Sequence, residues 1–217
     1  PTIEIADLLW RPAGAAQPTL DLRGVHLLVP SGGLLVVAGP SGAGKTTLLC
    51  ATAGLLGTLI PGELSGRLVV GGVDLVAAAA AREAGVPRAA LSRLGFHAAG
   101  PAPTWALPRV CDDAALPLEA RRVAGAAMAG SLRAAALSIG AAPSLLDRSY
   151  EALSGGERTQ GAAIAAFVAA PELLIADEPL LGLDPEAAAA LRSALLEHRA
   201  TRIVAVHDAQ QFAAAHD

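Results

Sequence analysis

"GPSGAGKTT", Gly39–Thr47, places three glycines in a six-residue run and follows them with a lysine and two threonines. Upstream, "LLVVAG" (Leu34–Gly39) is apolar and β-branched, as a buried strand should be. Downstream, "TTLLCATAGLL" carries helix formers at helical spacing. A strand, a glycine loop and a helix in that order give the loop a physical reading. Gly39, Gly42 and Gly44 let the backbone curl so that successive N–H groups point at one anion. A helix starting near Lys45 adds its unpaired N–H groups and the positive end of its dipole. Lys45 can then reach the outer phosphates of a nucleotide, and the Thr46 hydroxyl can ligate Mg²⁺. The stretch matches G-x-x-x-x-G-K-[ST] in full.

Three further runs lie downstream. "LLIADEP" (Leu173–Pro179) is an apolar strand ending in two adjacent acids; Asp177 is placed to hold Mg²⁺ and Glu178 to activate water. "LSGGE" (Leu153–Glu157) opens a helix with Ser154, Gly155 and Gly156, an anion-binding design that is also an ordinary helix cap. "IVAVHD" puts His207 at the C-terminal end of a strand, where open α/β sheets bind ligands.

Composition narrows the class. The chain has 217 residues, enough for one large domain or two small lobes. Mean hydropathy is +0.48, but alanine supplies much of it. The most apolar stretch, "GAAIAAFVAAPELLIA" (161–176), is broken by Pro171 and Glu172 before it reaches membrane-spanning length, and reads as helix, turn and buried strand. The N-terminal residues show no signal-peptide core, and an initiator methionine ahead of Pro1 is read as removed. A net charge of −4 gives no global pull toward nucleic acid. Cys50 and Cys111 lack metal-ligand spacing and suit a reducing compartment. From about residue 76 the texture turns alanine-rich and helical, with Pro101, Pro103 and Pro108 marking an irregular loop; strand–helix alternation returns at "LLIADEP".

Four motifs in this order and spacing resemble the ATP-binding cassette (ABC) ATPase family, over essentially the whole chain. The resemblance implies an α/β fold with a mostly parallel core sheet around the P-loop, an antiparallel β portion and an inserted helical lobe. It divides the chain into a nucleotide-binding core, residues 1–97 and 159–217, and a lobe at 98–158. It assigns Gly39, Ser41, Gly42, Ala43, Gly44, Lys45, Thr46 and Thr47 to the Walker A loop, and Ser154, Gly155 and Gly156 to the signature motif. Thr46 and Asp177 become Mg²⁺ ligands, "LGLD" (181–184) the D-loop, and Glu178, His207 and Lys45 the catalytic set. Trp10, 29 residues before Gly39, falls where the family places an aromatic under adenine; a buried core tryptophan is the competing reading.

The implied mechanism is head-to-tail dimerisation. Each of two ATP molecules lies between one chain's Walker A loop and the other's signature helix, and hydrolysis drives a separate integral membrane subunit. The implied location is cytoplasmic, peripheral on the inner face of the membrane, with no nucleic-acid partner. "ADEP" and "LPRV…ALPLE" look like export and lipoprotein-release cassettes, whereas "PGELSGRLVVGGVDL" looks like vitamin and metal importers. Direction therefore stays open.

Several positions depart from the family pattern. The glutamine that should touch Mg²⁺ after "LGF" is replaced by Ala99, with His97 the nearest polar side chain. Gln160 and Ala165 stand where arginines usually follow the signature, and Leu181 occupies a usual serine position. The chain stops nine residues after Asp208, before strands common in these cassettes. Two rival readings follow: a soluble ABC ATPase without a transport partner, and a degenerate or asymmetric cassette acting mainly as an ATP-binding module. Retention of Lys45, Asp177, Glu178 and His207 argues against the second rival. Trp105, in the proline-rich loop, is expected to be an exposed anchor for the membrane subunit, with a tryptophan folded into its own lobe as the alternative.

Overall fold

Each of the central strands buries both of its faces, and this splits the interior into two cores. The computed structural model describes residues 1–81, 94–98 and 105–213, with side chains at 96–98 not described. Ala99 and the His97 side chain, named above, therefore lie outside the described residues.

β3 (Leu34–Ala38), β6 (Leu94–Ala98), β7 (Leu173–Asp177) and β8 (Thr201–Val206) form a parallel sheet in the order β3-β8-β7-β6. β7 and β8 are buried at every residue, as expected for parallel strands covered on both sides. Alternation assigns Leu173, Ile175, Ile203 and Ala205 to one core and Leu174, Ala176, Val204 and Val206 to the other.

The first core is closed by an antiparallel sheet, β2-β1-β4-β5, made from β1 (Ile3–Pro12), β2 (Leu20–Val29), β4 (Gly62–Val70) and β5 (Val73–Asp74). α1 (Lys45–Thr52) lies in this core through Leu48, Leu49 and Ala51, and the short α2 (Leu75–Ala80) adds Leu75. The second core is helical. It gathers α3 (Val110–Ala120), α4 (Gly125–Ser138), α5 (Gly155–Phe167) and α6 (Pro185–Glu197), with 3-10 turns at Pro143–Asp147 and Tyr150–Ala152.

Trp10 takes the second of its two readings, a tryptophan in the core. β1 starts with Ile3 and Ile5 inward, but its pairing slips between Ala6 and Leu8, where Asp7 takes φ +51°. One extra residue moves the following side chains to the opposite face. Leu8 and Trp10 thus point inward, and Trp10 is 2% exposed. An indole packed in the core cannot present a face to adenine.

One buried cation fixes the strand that ends at His207. Arg202 on β8 donates to the carbonyls of Leu195 and Leu196 at the end of α6 and to Gly32 before β3. It has no acidic partner among the described ion pairs. The carbonyls at a helix C-terminus carry the partial negative charge that stabilises it.

Candidate functional site

The glycine loop leaves β3 and enters α1 with its first N–H groups unspent. Gly44 is the residue before the helix and takes φ +84°, so no side chain caps α1. A β-carbon there would sit 3.0 Å from the Thr19 carbonyl oxygen. Gly42 is also left-handed, at φ +81°. The loop and the start of α1 line a cavity of about 290 Å³ through Ser41, Gly42, Ala43, Gly44, Lys45, Thr46 and Thr47. Asp177, Glu178 and His207 close it from the C-terminal ends of β7 and β8, and Thr19 from the start of β2.

Gly39 forms no part of that lining. Its N–H donates to the Val206 carbonyl, tying the loop to the end of β8, and its own carbonyl accepts from Lys45 Nζ at 2.7 Å. Lys45 Nζ also donates to the Pro40 carbonyl at 3.2 Å. The lysine is thus folded back over its own loop.

Thr46 Oγ1 donates to Asp177 Oδ2 at 2.5 Å. A hydroxyl and a carboxylate held together are hard oxygen donors of the kind Mg²⁺ prefers. No cluster of three or more His, Cys, Asp or Glu side chains accompanies them among the described residues. Such a pair suits a cation that keeps waters and takes phosphate oxygens, rather than one enclosed by protein.

Glu178 is strained and partly buried. It follows β7 with φ +46°, a conformation costing a non-glycine residue ~1–3 kcal/mol. Its N–H is held by the Ala205 carbonyl of β8. Its side chain is only 15% exposed, and Oε1 accepts no hydrogen bond. That oxygen lies 3.3 Å from Lys45 Nζ and 3.5 Å from His207 Nε2, contacts that are electrostatic rather than directional. His207 is half exposed, so Glu178 Oε1 touches a side chain that itself reaches solvent.

Ser154, Gly155 and Gly156 are not brought to this cavity. They open α5, where Ser154 Oγ accepts from the Glu157 N–H and the Glu157 carboxylate accepts from the Ser154 N–H. Glu157 also pairs with Arg148. These contacts, the Ser154 N–H first, hold its carboxyl below the usual value. Gly156 packs on the Gly182 carbonyl, so the stretch before α6 lies against the turn that opens α5.

Trp105 does not stand free. Its ring stacks on Tyr150 at 4.7 Å between centroids, with 7° between planes. Thr19 carries no local sequence signal, because its place in the cavity depends on the pairing of β1 with β2. Its N–H donates to the Trp10 carbonyl, which sets it beside Gly44.

A family model described as "ABC transporter" matches residues 22–181. An ABC transporter ATP-binding protein of Streptomyces avermitilis is 32% identical over 90% of this chain and 35% of its own length. One from Gloeobacter violaceus is 33% identical over 88% of this chain and 73% of its own. The chain thus spans about a third of the first relative and nearly three quarters of the second. A dimeric ATP-binding cassette, MJ0796, solved in a post-hydrolysis state with ADP and Pi, superposes with a TM-score of 0.76. The match covers 96% of this chain and 89% of that one at 18% identity, a likeness of fold.

Proposed function

The chain belongs to the ABC transporter family, and from that premise we propose that it binds and hydrolyses ATP with Mg²⁺ as an ATP-binding subunit. Two cassettes, identical or homologous, close head to tail on two nucleotides and drive a separate membrane subunit. The observation that carries this reading is the convergence on one cavity of an uncapped helix N-terminus, Lys45, the Thr46–Asp177 pair and the partly buried Glu178.

The residues divide the work as follows. The loop N–H groups and the start of α1 bind the phosphate chain. Lys45 leaves Gly39, Pro40 and Glu178 and turns to the outer phosphates, offsetting charge as it develops. Thr46 Oγ1 and Asp177 would hold Mg²⁺, which supplies charge neutralisation on the phosphate oxygens. Released from Lys45, Glu178 Oε1 orients a water and takes its proton. His207 Nε2 orients Glu178 and stabilises charge on the solvent side. Ser154, Gly155 and Gly156 serve the partner's nucleotide, which agrees with their standing apart from the cavity of their own chain.

Residues 1–97 with 159–217 form the nucleotide-binding core in this reading, and 98–158 the lobe that meets the membrane subunit. The division falls within α5, so that helix joins both parts. None of the described helices is long and apolar enough to cross a membrane. We place the chain on the cytoplasmic face, held there by its partner.

The test is sedimentation and ATPase assay of the purified chain. Mg-ATP should produce a dimer, most clearly in Glu178→Gln, and inorganic phosphate release in the native chain. A monomer under all nucleotide conditions together with no phosphate release would overturn the reading.

A further inference from the structure

Trp105 touches both the residue group before the α5 cap and the first turn after it. Ahead of the cap, its ring lies parallel on Tyr150, within the 3-10 turn that leads to Ser154. Tyr150 is 1% exposed and firmly seated. Its hydroxyl reaches Asp113 Oδ2 at 3.4 Å, and its ring abuts Gly161 on α5. A β-carbon at Gly161 would come within 2.7 Å of Tyr150 Cε1. After the cap, the Arg158 guanidinium carbon lies 5.4 Å from the Trp105 ring centroid, a cation–π contact. Arg158 Nε donates back to the Tyr150 carbonyl at 3.0 Å. The backbone just past Trp105 is pinned as well: the Ala106 and Leu107 N–H groups both donate to Asp113 Oδ1.

Asp113 on α3 therefore fixes the loop that carries Trp105, and Trp105 clasps the turn before Ser154 and the residue after Glu157. None of Trp105, Tyr150 or Arg158 lines the phosphate cavity.

We propose that Trp105 is a positioning residue for the signature turn: it sets the attitude in which Ser154–Glu157 meets the second cassette, without affecting nucleotide loading in its own chain. The proposal rests on the dimeric reading above. It replaces the expectation that Trp105 anchors a membrane partner, because a ring engaged by Tyr150 and Arg158 is occupied within its own chain.

The experiment uses the full chain carrying Glu178→Gln, with ATP-driven dimerisation read by sedimentation and ADP affinity by calorimetry. Adding Trp105→Ala should weaken dimerisation about tenfold, the scale of a lost aromatic stack. ADP affinity should stay unchanged. Trp105→Phe, which keeps a ring for Tyr150 and Arg158, should restore most of the dimerisation. Equal dimerisation with and without Trp105, a parallel loss of ADP binding, or no rescue by phenylalanine would overturn the proposal. If Trp105→Ala does not fold, Arg158→Met takes its place. It should weaken dimerisation with ADP affinity kept, and parity there would equally overturn the proposal. Should the Glu178→Gln parent itself stay monomeric with ATP, the dimeric reading falls and takes this proposal with it.

Discussion

α1 and α5 both begin at glycine-rich turns, yet they treat their first N–H groups in opposite ways. α1 starts after a left-handed Gly44, has no capping side chain and carries no acid in its first turn. α5 starts after Ser154, with a complete capping box and Glu157 in its first turn. Unsatisfied N–H groups at a helix end need a partner. At α1 that partner must come from outside the chain, and Lys45, Thr46 and the backbone nest suit an anion. At α5 the chain supplies a partner for the Glu157 N–H, so the turn is formed before any ligand arrives, while the Gly155 and Gly156 N–H groups take no acceptor among the described residues. One end is open along its whole first turn; the other is half capped, with its shape set in advance for a second molecule. A shared composition of Gly, Ser and acceptor side chains thus covers two different electrostatic designs.

The largest expected effect lies at the α1 cavity. Glu178→Gln should lower ATP turnover by about 10²-fold or more, the range for a lost general base, with ADP affinity preserved. Steady-state phosphate release against calorimetric binding separates the two quantities. Unchanged turnover would place the base elsewhere.

Binding itself distinguishes the two helix ends. Lys45→Ala should weaken ADP binding by about 10- to 100-fold, since a charge-assisted hydrogen bond contributes about 1.5–3 kcal/mol. Ser154→Ala should leave ADP binding to the single chain unaltered. Equal losses from both substitutions would show that α5 also reaches the nucleotide of its own chain and would dissolve the contrast.

The sequence made one of these ends much plainer than the other. Gly39–Thr47 is contiguous, so strand, loop, lysine and hydroxyl could be placed from spacing alone. The two adjacent acids after an apolar strand were legible for the same reason. What escaped depends on contacts distant in sequence. The distance of Trp10 from Gly39 fits an aromatic under the base as well as a core tryptophan, so spacing leaves both readings open. The inward spacing Ile3, Ile5, Leu8, Trp10 carries the signal of a one-residue bulge at Asp7 and decides for the core. Prolines around Trp105 suggest an exposed anchor and leave a tryptophan folded into its own lobe as the alternative. Its stack on Tyr150 joins residues 45 positions apart, and no local pattern announces it. Arg202 likewise looks like a surface cation within "TRIVAV", whereas its guanidinium spans three carbonyls in the interior.

A smaller effect concerns the cap alone. Ser154→Ala should lower the unfolding free energy by about 0.5–2 kcal/mol, the cost of losing an N-cap hydroxyl. Chemical denaturation measures it. No equivalent substitution exists at α1, where Gly44 contributes no side chain; there, added ADP should stabilise instead, by mass action. A chain whose stability ignores ADP while responding to Ser154→Ala would mean that α1 is not the ligand-dependent end.

The smallest effect tests the charge in the α5 cap. Hydrogen bonds from Ser154, its backbone N–H first, and the nearby Arg148 lower the Glu157 pKa from its ordinary 4.5. A carboxyl whose folded pKa is depressed stabilises the fold above its unfolded value, and that contribution is lost as pH falls through the folded value. Glu157→Gln retains an oxygen to accept the Ser154 N–H but cannot titrate. The native chain should therefore have the higher melting temperature at pH 7, and the gap should close as pH falls below about 4.5. Other carboxyls titrate in both proteins and cancel in the difference. A gap that stays constant down to pH 3 would mean that the capping box acts through geometry alone.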